Sequence, residues 1–203
     1  MSQKQPQRRT LNVAITGHRP NRMPARHWER VRSDLNGTFA KLEEQNPGRR
    51  LVLMSGLAEG ADRLAAFVAL GRGWKLRATL AFHRSRFEED FPNAAAVGEF
   101  RSLLKAADKI DEPQRGAHLG RPAEDGYDRV ARLLLSRADF VVAVWDGADS
   151  QGRGGTVEVI EAARKAGIPV VWISATKPLK PKWLGARSKH PRGERRRPAV
   201  EHQ

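Results

Sequence analysis

No cysteine occurs among the 203 residues, so disulfides and cysteine-ligated zinc or iron–sulfur centres are excluded, and no metal site is expected. This composition fits a reducing compartment. Long apolar runs are also missing: none approaches the ~20 residues that span a bilayer. The start, Met1-Ser2-Gln3-Lys4-Gln5-Pro6, lacks the apolar stretch of a secretory signal. The sequence therefore reads as soluble and cytoplasmic, with no membrane partner. Acidic residues are in the minority, 23 against 37 lysines and arginines, for a net charge of +14. Such a balance points to nucleic acid until the charge is located. Residues 1–10 carry three basic side chains and no acid, and residues 177–203 carry nine against two, so the ends hold ten of the fourteen net charges. The segment between them is close to neutral. A basic folded surface is not what the totals describe.

What remains supports one domain with extensions. The composition divides the chain into a basic arm (1–10), a folded domain (11–176) and a basic, proline-rich tail (177–203) expected to be disordered. Five β-rich runs punctuate the folded part: Leu11–Thr16, Leu51–Ser55, Leu76–Phe82, Phe140–Trp145 and Pro169–Ser174. The last two are nearly continuously apolar, as strands buried on both faces are. Between them, apolar residues recur at three- or four-residue spacing, as in Trp28, Val31, Leu35, Phe39 and Leu42, or Leu64, Phe67 and Val68. The stretch Asp108–Asp125 is polar and reads as a loop with room for one short strand. Strand–helix alternation requires crossovers, hence a mostly parallel sheet of five or six strands with helices on both faces, a Rossmann-like three-layer α/β sandwich.

In such a sheet, ligands bind beyond the carboxyl ends of the strands. Four loops lie there. After the first strand comes Gly17-His18-Arg19: a glycine for close approach, a histidine, and a guanidinium fork for phosphate or carboxylate. After the second, Ser55, Gly56, Glu59, Gly60 and Asp62 lead into a helix whose free amides favour an anion, with Asp62 and Glu59 as alternative caps or ribose ligands. The third carries Arg84 and Arg86 and reads more readily as a solvated turn. The fourth runs from Asp146 to Gly154-Gly155-Thr156, from a buried strand to a helix start, and is the strongest phosphate cradle of the set. It lacks the terminal Gly-Lys-Ser/Thr of a P-loop, which argues against NTP hydrolysis of that type.

Together, Ile15-Thr16-Gly17-His18-Arg19, the run Ser55–Arg63, and Val144-Trp145-Asp146-Gly147 with Gly154-Gly155-Thr156-Val157-Glu158 resemble the SLOG superfamily of Rossmann-like domains, and most closely its bacterial members with a TGHR start and a GGT helix entry. The likeness extends through Phe87–Phe91 and from Tyr127 to Ile173, covering neither tail. It implies a nucleotide-derived ligand held across these loops. The superfamily includes cytokinin-activating phosphoribohydrolases, whose pattern Pro-Gly-Gly-x-Gly-Thr-x-x-Glu places a glutamate three residues after the threonine. Here that position is Val159, and Glu158 and Glu161 are off that spacing, ~100° of helix rotation per residue. The Ser-Gly-Leu-Ala loop is also similar to the superfamily's DNA-processing recombination mediators.

The leading expectation is therefore a nucleotide-binding or sensor module, with no cofactor assigned beyond the nucleotide-type ligand itself. Gly154, Gly155 and Thr156 hold phosphate, Gly17, His18 and Arg19 close one side, and Ser55, Gly56, Glu59, Gly60, Asp62 and Asp146 form the neighbouring wall. An N-glycosidic hydrolase acting on a nucleotide, with Glu158 or Asp62 catalytic, is the first alternative. Nonspecific nucleic-acid binding through the tail is the second. Monomer and homo-oligomer both remain open.

Overall fold

The β-branched and leucine-rich runs form strands because their side chains are buried on one or both faces of the sheet, and the apolar stripes between them become the inner faces of helices. The computed structural model describes residues 10–117, 122–149 and 155–185. In chain order these form β1 (Thr10–Gly17), a 3-10 turn (Ala25–His27), α1 (Trp28–Glu44), β2 (Arg50–Ser55), α2 (Ala61–Gly71), β3 (Lys75–Thr79), α3 (Arg84–Glu88) and α4 (Ala94–Ala106). Then follow β4 (Lys109–Asp111), α5 (Ala123–Arg137), β5 (Phe140–Trp145), α6 (Thr156–Lys165), β6 (Val170–Ser174) and β7 (Lys182–Leu184).

One seven-stranded sheet has the order β4-β3-β2-β1-β5-β6-β7. Every pairing is parallel except β6 with β7. Right-handed crossovers then place α1, α2 and α4 on one face, where α2 contacts both α1 and α4, and α5 and α6 on the other. The strand order reverses between β1 and β5, and a crevice opens at such a reversal. The core is centred on β1 and β5, whose Val13, Ile15, Val142 and Val144 are at most 1% exposed. Phe39 of α1 stacks on Trp74 at 4.5 Å between ring centres, closing the core at the far end of α2.

The α/β expectation holds, with two differences. The sheet has seven strands where five or six were expected. One extra pairing is β4, the short strand for which the Asp108–Asp125 stretch left room. The other, β7, lies in the segment read as disordered tail: Trp183 stands edge-on to Phe140 at 5.9 Å, and the flanking prolines and lysines suit an edge strand that donates to only one neighbour. Three residues are too few to show a period. The arm 1–9 and the rest of the tail, 186–203, fall outside the described residues.

The second difference is in α2. Leu64 is buried as the stripe predicts, but Phe67 is 40% exposed, and Ala61, Ala65, Ala66 and Ala69 take the inner face. A Cβ on Gly17 would stand 2.5 Å from the Ala61 Cβ, so α2 lies too close to the sheet for larger residues.

Candidate functional site

The exits of β1 and β2 and the entries of α2, α5 and α6 converge on a cavity of about 470 Å³ at the β1–β5 reversal. Gly17, His18, Arg19, Gly56, Asp62, Gly155 and Thr156, all expected from sequence, line it. Ile15, Tyr127, Val130 and Leu134 form an apolar wall opposite.

The β1 exit is held by its backbone. The His18 N–H donates to the Val144 carbonyl at 3.0 Å, and the His18 carbonyl accepts from the Ala61 N–H at 3.1 Å, joining β1 to β5 and to the start of α2. The His18 ring is buried, with Nε2 3.0 Å from Asp146 Oδ1 but off the line of a well-formed hydrogen bond. Burial pulls the imidazole pKa below its ordinary value, opposed by Asp146 and assisted by Arg22. Asp146 accepts a forked pair from Arg22, Nε at 3.0 Å and Nη2 at 2.7 Å. Burial alone would raise its carboxyl, but His18, the Ala148 N–H and Arg22 outweigh that and hold it at about 2. Asp146 is thus consumed in fixing the β1 and β5 exits to each other, and it does not line the cavity. Arg22 is the partner the sequence reading missed, being 124 residues away in the chain.

Arg19 has a different situation. Its described partner is the Tyr127 hydroxyl, to which Nη2 donates at 2.8 Å, with the guanidinium 5.5 Å from the ring centre. Arg19 makes no salt bridge among the described residues, and its charge is felt by the Asp62 carboxyl on the same cavity wall. Also at the cavity, α6 begins at Gly155, an N-cap residue with no side chain of its own to cap the first amides, and Thr156 and Val157 line the cavity. Thr156 is the first helical residue rather than the cap. Gly154 lies outside the described residues. Glu158 falls in the first turn of α6 without lining the cavity.

The β2 exit is built around Ser55 and Asp62, both buried. Ser55 Oγ accepts from the Leu57 N–H at 3.0 Å and donates to Asp62 Oδ2 at 3.4 Å. Leu57 is held at φ +54°, a conformation a leucine rarely adopts. Strain of this kind, about 1–3 kcal/mol, persists where the surroundings dictate it. Here they do: Leu57 is fully buried, and its carbonyl accepts from Arg63 Nε at 3.1 Å. Arg63 is a structural clamp, donating also to the Ala96 carbonyl at 2.7 Å and lying 4.2 Å over the Phe91 ring. Glu59 faces Arg63 electrostatically and stands outside the cavity, as does Gly60. The arginines of the third loop are neutralised, Arg84 by Glu112 from the exit of β4 at 2.6 Å and Arg86 by Asp90 at 2.6 Å.

Burial lifts the Asp62 carboxyl to about 7, against the Ser55 hydroxyl, the Gly56 N–H, the Arg19 charge and the Ala58 N–H, which all favour the ionised form. The unfolded chain releases this proton near 3.8 while the fold retains it to about 7. The folded state binds more protons in that window, so stability from this group falls as pH rises from about 4 to 7 and is level above it. The whole effect is at most about 4 kcal/mol. Asp62→Asn should flatten the fall, and denaturant unfolding at pH 5 and pH 8 measures it; an unchanged slope would assign the pH dependence to other groups.

No family model and no curated protein sequence matches the chain. Solved structures do. DNA processing protein A from Streptococcus pneumoniae superposes with a TM-score of 0.53 at 20% identity, over 80% of this chain and 50% of that one. DNA processing protein A from Helicobacter pylori, a structure described as showing a single-stranded DNA binding mode, superposes with a TM-score of 0.53 at 17% identity, over 81% of this chain and 65% of that one. This chain therefore spans less than two thirds of either protein. No described residues form a cluster of three or more metal-ligating side chains, and no described helix is long and apolar enough to cross a membrane. The seven-stranded α/β sheet with its cavity at the β1–β5 reversal is a Rossmann-like fold, similar to that of the two DNA processing protein A structures.

Proposed function

We propose that this protein binds a nucleotide or nucleotide-derived small molecule in the 470 Å³ cavity, with the ligand's phosphate between Arg19 and the start of α6. The observation carrying this reading is the convergence, on one cavity at the reversal point of the sheet, of a guanidinium that has no salt bridge among the described residues and a helix start with glycine at its N-cap. The wall of Tyr127, Val130 and Leu134 suits the base or another flat apolar group, and Asp62 with Gly56 suits the sugar hydroxyls. Thermal unfolding in the presence of nucleoside monophosphates, cyclic nucleotides, NAD and ADP-ribose tests it. A ligand at a hundred times its Kd adds about 2.7 kcal/mol, or roughly 5–10 °C in Tm for a domain of this size. No shift with any of them at saturation would overturn the reading.

A hydrolytic reading draws on the Asp62 carboxyl. A group with a pKa of about 7 on the cavity wall can give a proton to a departing base while water adds at the anomeric carbon. Base release from a nucleoside monophosphate, abolished in Asp62→Asn, would establish it. Glu158→Gln with unchanged release would remove Glu158 from the chemistry. Nucleic-acid binding draws on the six basic residues within 186–203 and on the fold shared with the Helicobacter protein. Because β7 belongs to the sheet, the informative truncation ends at Gly185; binding that survives it would not belong to the tail.

A further inference from the structure

We propose that this protein has a second binding site, for a phosphate or carboxylate group of a small molecule, in a cavity of about 300 Å³ on the opposite side of α5. The first turns of α5 divide the two cavities. Tyr127, Val130 and Leu134 face the first, whereas Pro122, Gly126 and Arg129 face the second. The exit of β3 borders both through Ala81. A volume at the lower end for ligand sites suits a small anion better than a whole nucleotide.

Arg129 supplies the charge. One Nη2 hydrogen goes to the Leu80 carbonyl, and the other guanidinium donors have no hydrogen-bond partner among the described residues. Asp111, the acid that Arg129 feels, is bound by Arg137 at 2.9 Å, and Arg129 has no salt bridge among the described residues. Arg63 shows what a purely structural arginine looks like here. It spends Nε and Nη1 on two carbonyls, lies over the Phe91 ring and is 2% exposed. Arg129 spends one donor and fronts a cavity.

His83 lines the same cavity and adds a second donor. As the N-cap of α3 it accepts from the Ser85 N–H on Nδ1 at 3.3 Å. The neutral ring therefore carries its proton on Nε2, which has no hydrogen-bond partner among the described residues. Glu112, the acid that feels His83, is held by Arg84 at 2.6 Å. Asp125 is the one acid among the described lining residues, and it is exposed. Phe82, Pro113 and Ala117 make the rest of the wall weakly polar, which strengthens a charge-assisted bond to a bound anion.

Titration of the full chain with inorganic phosphate at constant pH tests the proposal, read by NMR at the His83 ring. The resonance is assigned by its loss in His83→Ala. A saturable shift is expected, and sodium chloride at the same ionic strength should not reproduce it. Arg129→Gln should weaken the response at least ~10-fold. Gln114→Glu, which adds a carboxylate at an exposed lining position and spares the core, should weaken it as well, so the test survives if Arg129→Gln unfolds. Arg19→Ala should leave the response in place, which separates this site from the nucleotide reading of the first cavity. ADP-ribose identifies the source of the anion. A phosphate response lost in its presence means one molecule occupies both cavities, and an intact response means a separate small anion. No saturable shift, one reproduced by chloride, one indifferent to both Arg129→Gln and Gln114→Glu, or one lost in Arg19→Ala overturns the proposal.

Discussion

Gly60→Ala should lower the unfolding free energy by about 3 kcal/mol. Gly60 precedes α2 with φ +91° and ψ −124°, where a side chain is strained whatever space surrounds it. There is also no space. An added Cβ would stand 2.5 Å from the His18 carbonyl oxygen and 3.1 Å from the Arg19 Cα. Both are backbone atoms and cannot rotate away. The same carbonyl accepts from the Ala61 N–H, so relief of the clash must break the bond joining the β1 exit to α2. Urea unfolding measures the loss. Gly98→Ala is the control: in α4 a Cβ meets nothing within 4 Å, and the expected change is a gain of up to about 1 kcal/mol. If Gly60→Ala stays within 1 kcal/mol of wild type, the loop has an alternative path and the packing account of Gly60 is wrong.

The second large effect concerns binding. Arg19→Ala should raise the Kd for the best nucleotide ligand by about 100-fold, equivalent to ~2.7 kcal/mol and within the range of a charge-assisted hydrogen bond. Arg19 has no salt bridge among the described residues; its removal costs the Tyr127 hydrogen bond and the charge that favours ionised Asp62, so stability should change little at pH 5, where Asp62 is protonated. Arg22→Ala makes the contrast. It frees Asp146, which depends on His18, Ala148 and Arg22 for its pKa of about 2, so its main effect should be on stability above pH 4. Isothermal titration on both variants separates the roles. Equal loss of affinity in both would mean that Arg19 acts only by shaping the loop.

The two arginines show why the site was only partly legible. The glycines and the Arg19 position could be found because strand-end loops gather at one edge of a parallel sheet, and that follows from the alternation of elements. The division of labour could not. Asp146 and Gly60 were both read as part of the ligand-binding wall, yet Arg22 and His18 occupy Asp146, and the close neighbour of Gly60 is the His18 carbonyl. Leu57 in a left-handed conformation and Arg63 as a buried clamp left no sequence signal, since neither residue type announces its role. Phe67 was misplaced because three apolar residues at helical spacing do not reveal which neighbour is too close to admit a benzyl group.

The sequence by itself determined the class of fold and the edge at which chemistry gathers. Period, burial pattern and glycine-rich loops are local properties, and a parallel crossover architecture follows from their order. Only the tertiary structure decided which of those glycines and charges face a cavity. Gly17 is fixed by the approach of α2 and Gly60 by the backbone of the β1 exit; Asp146 is neutralised from the β1 exit by Arg22, whereas Arg19 lines the cavity without a salt bridge among the described residues. Partners more than a hundred residues apart meet through the packing of the sheet, and no spacing along the chain encodes that distance.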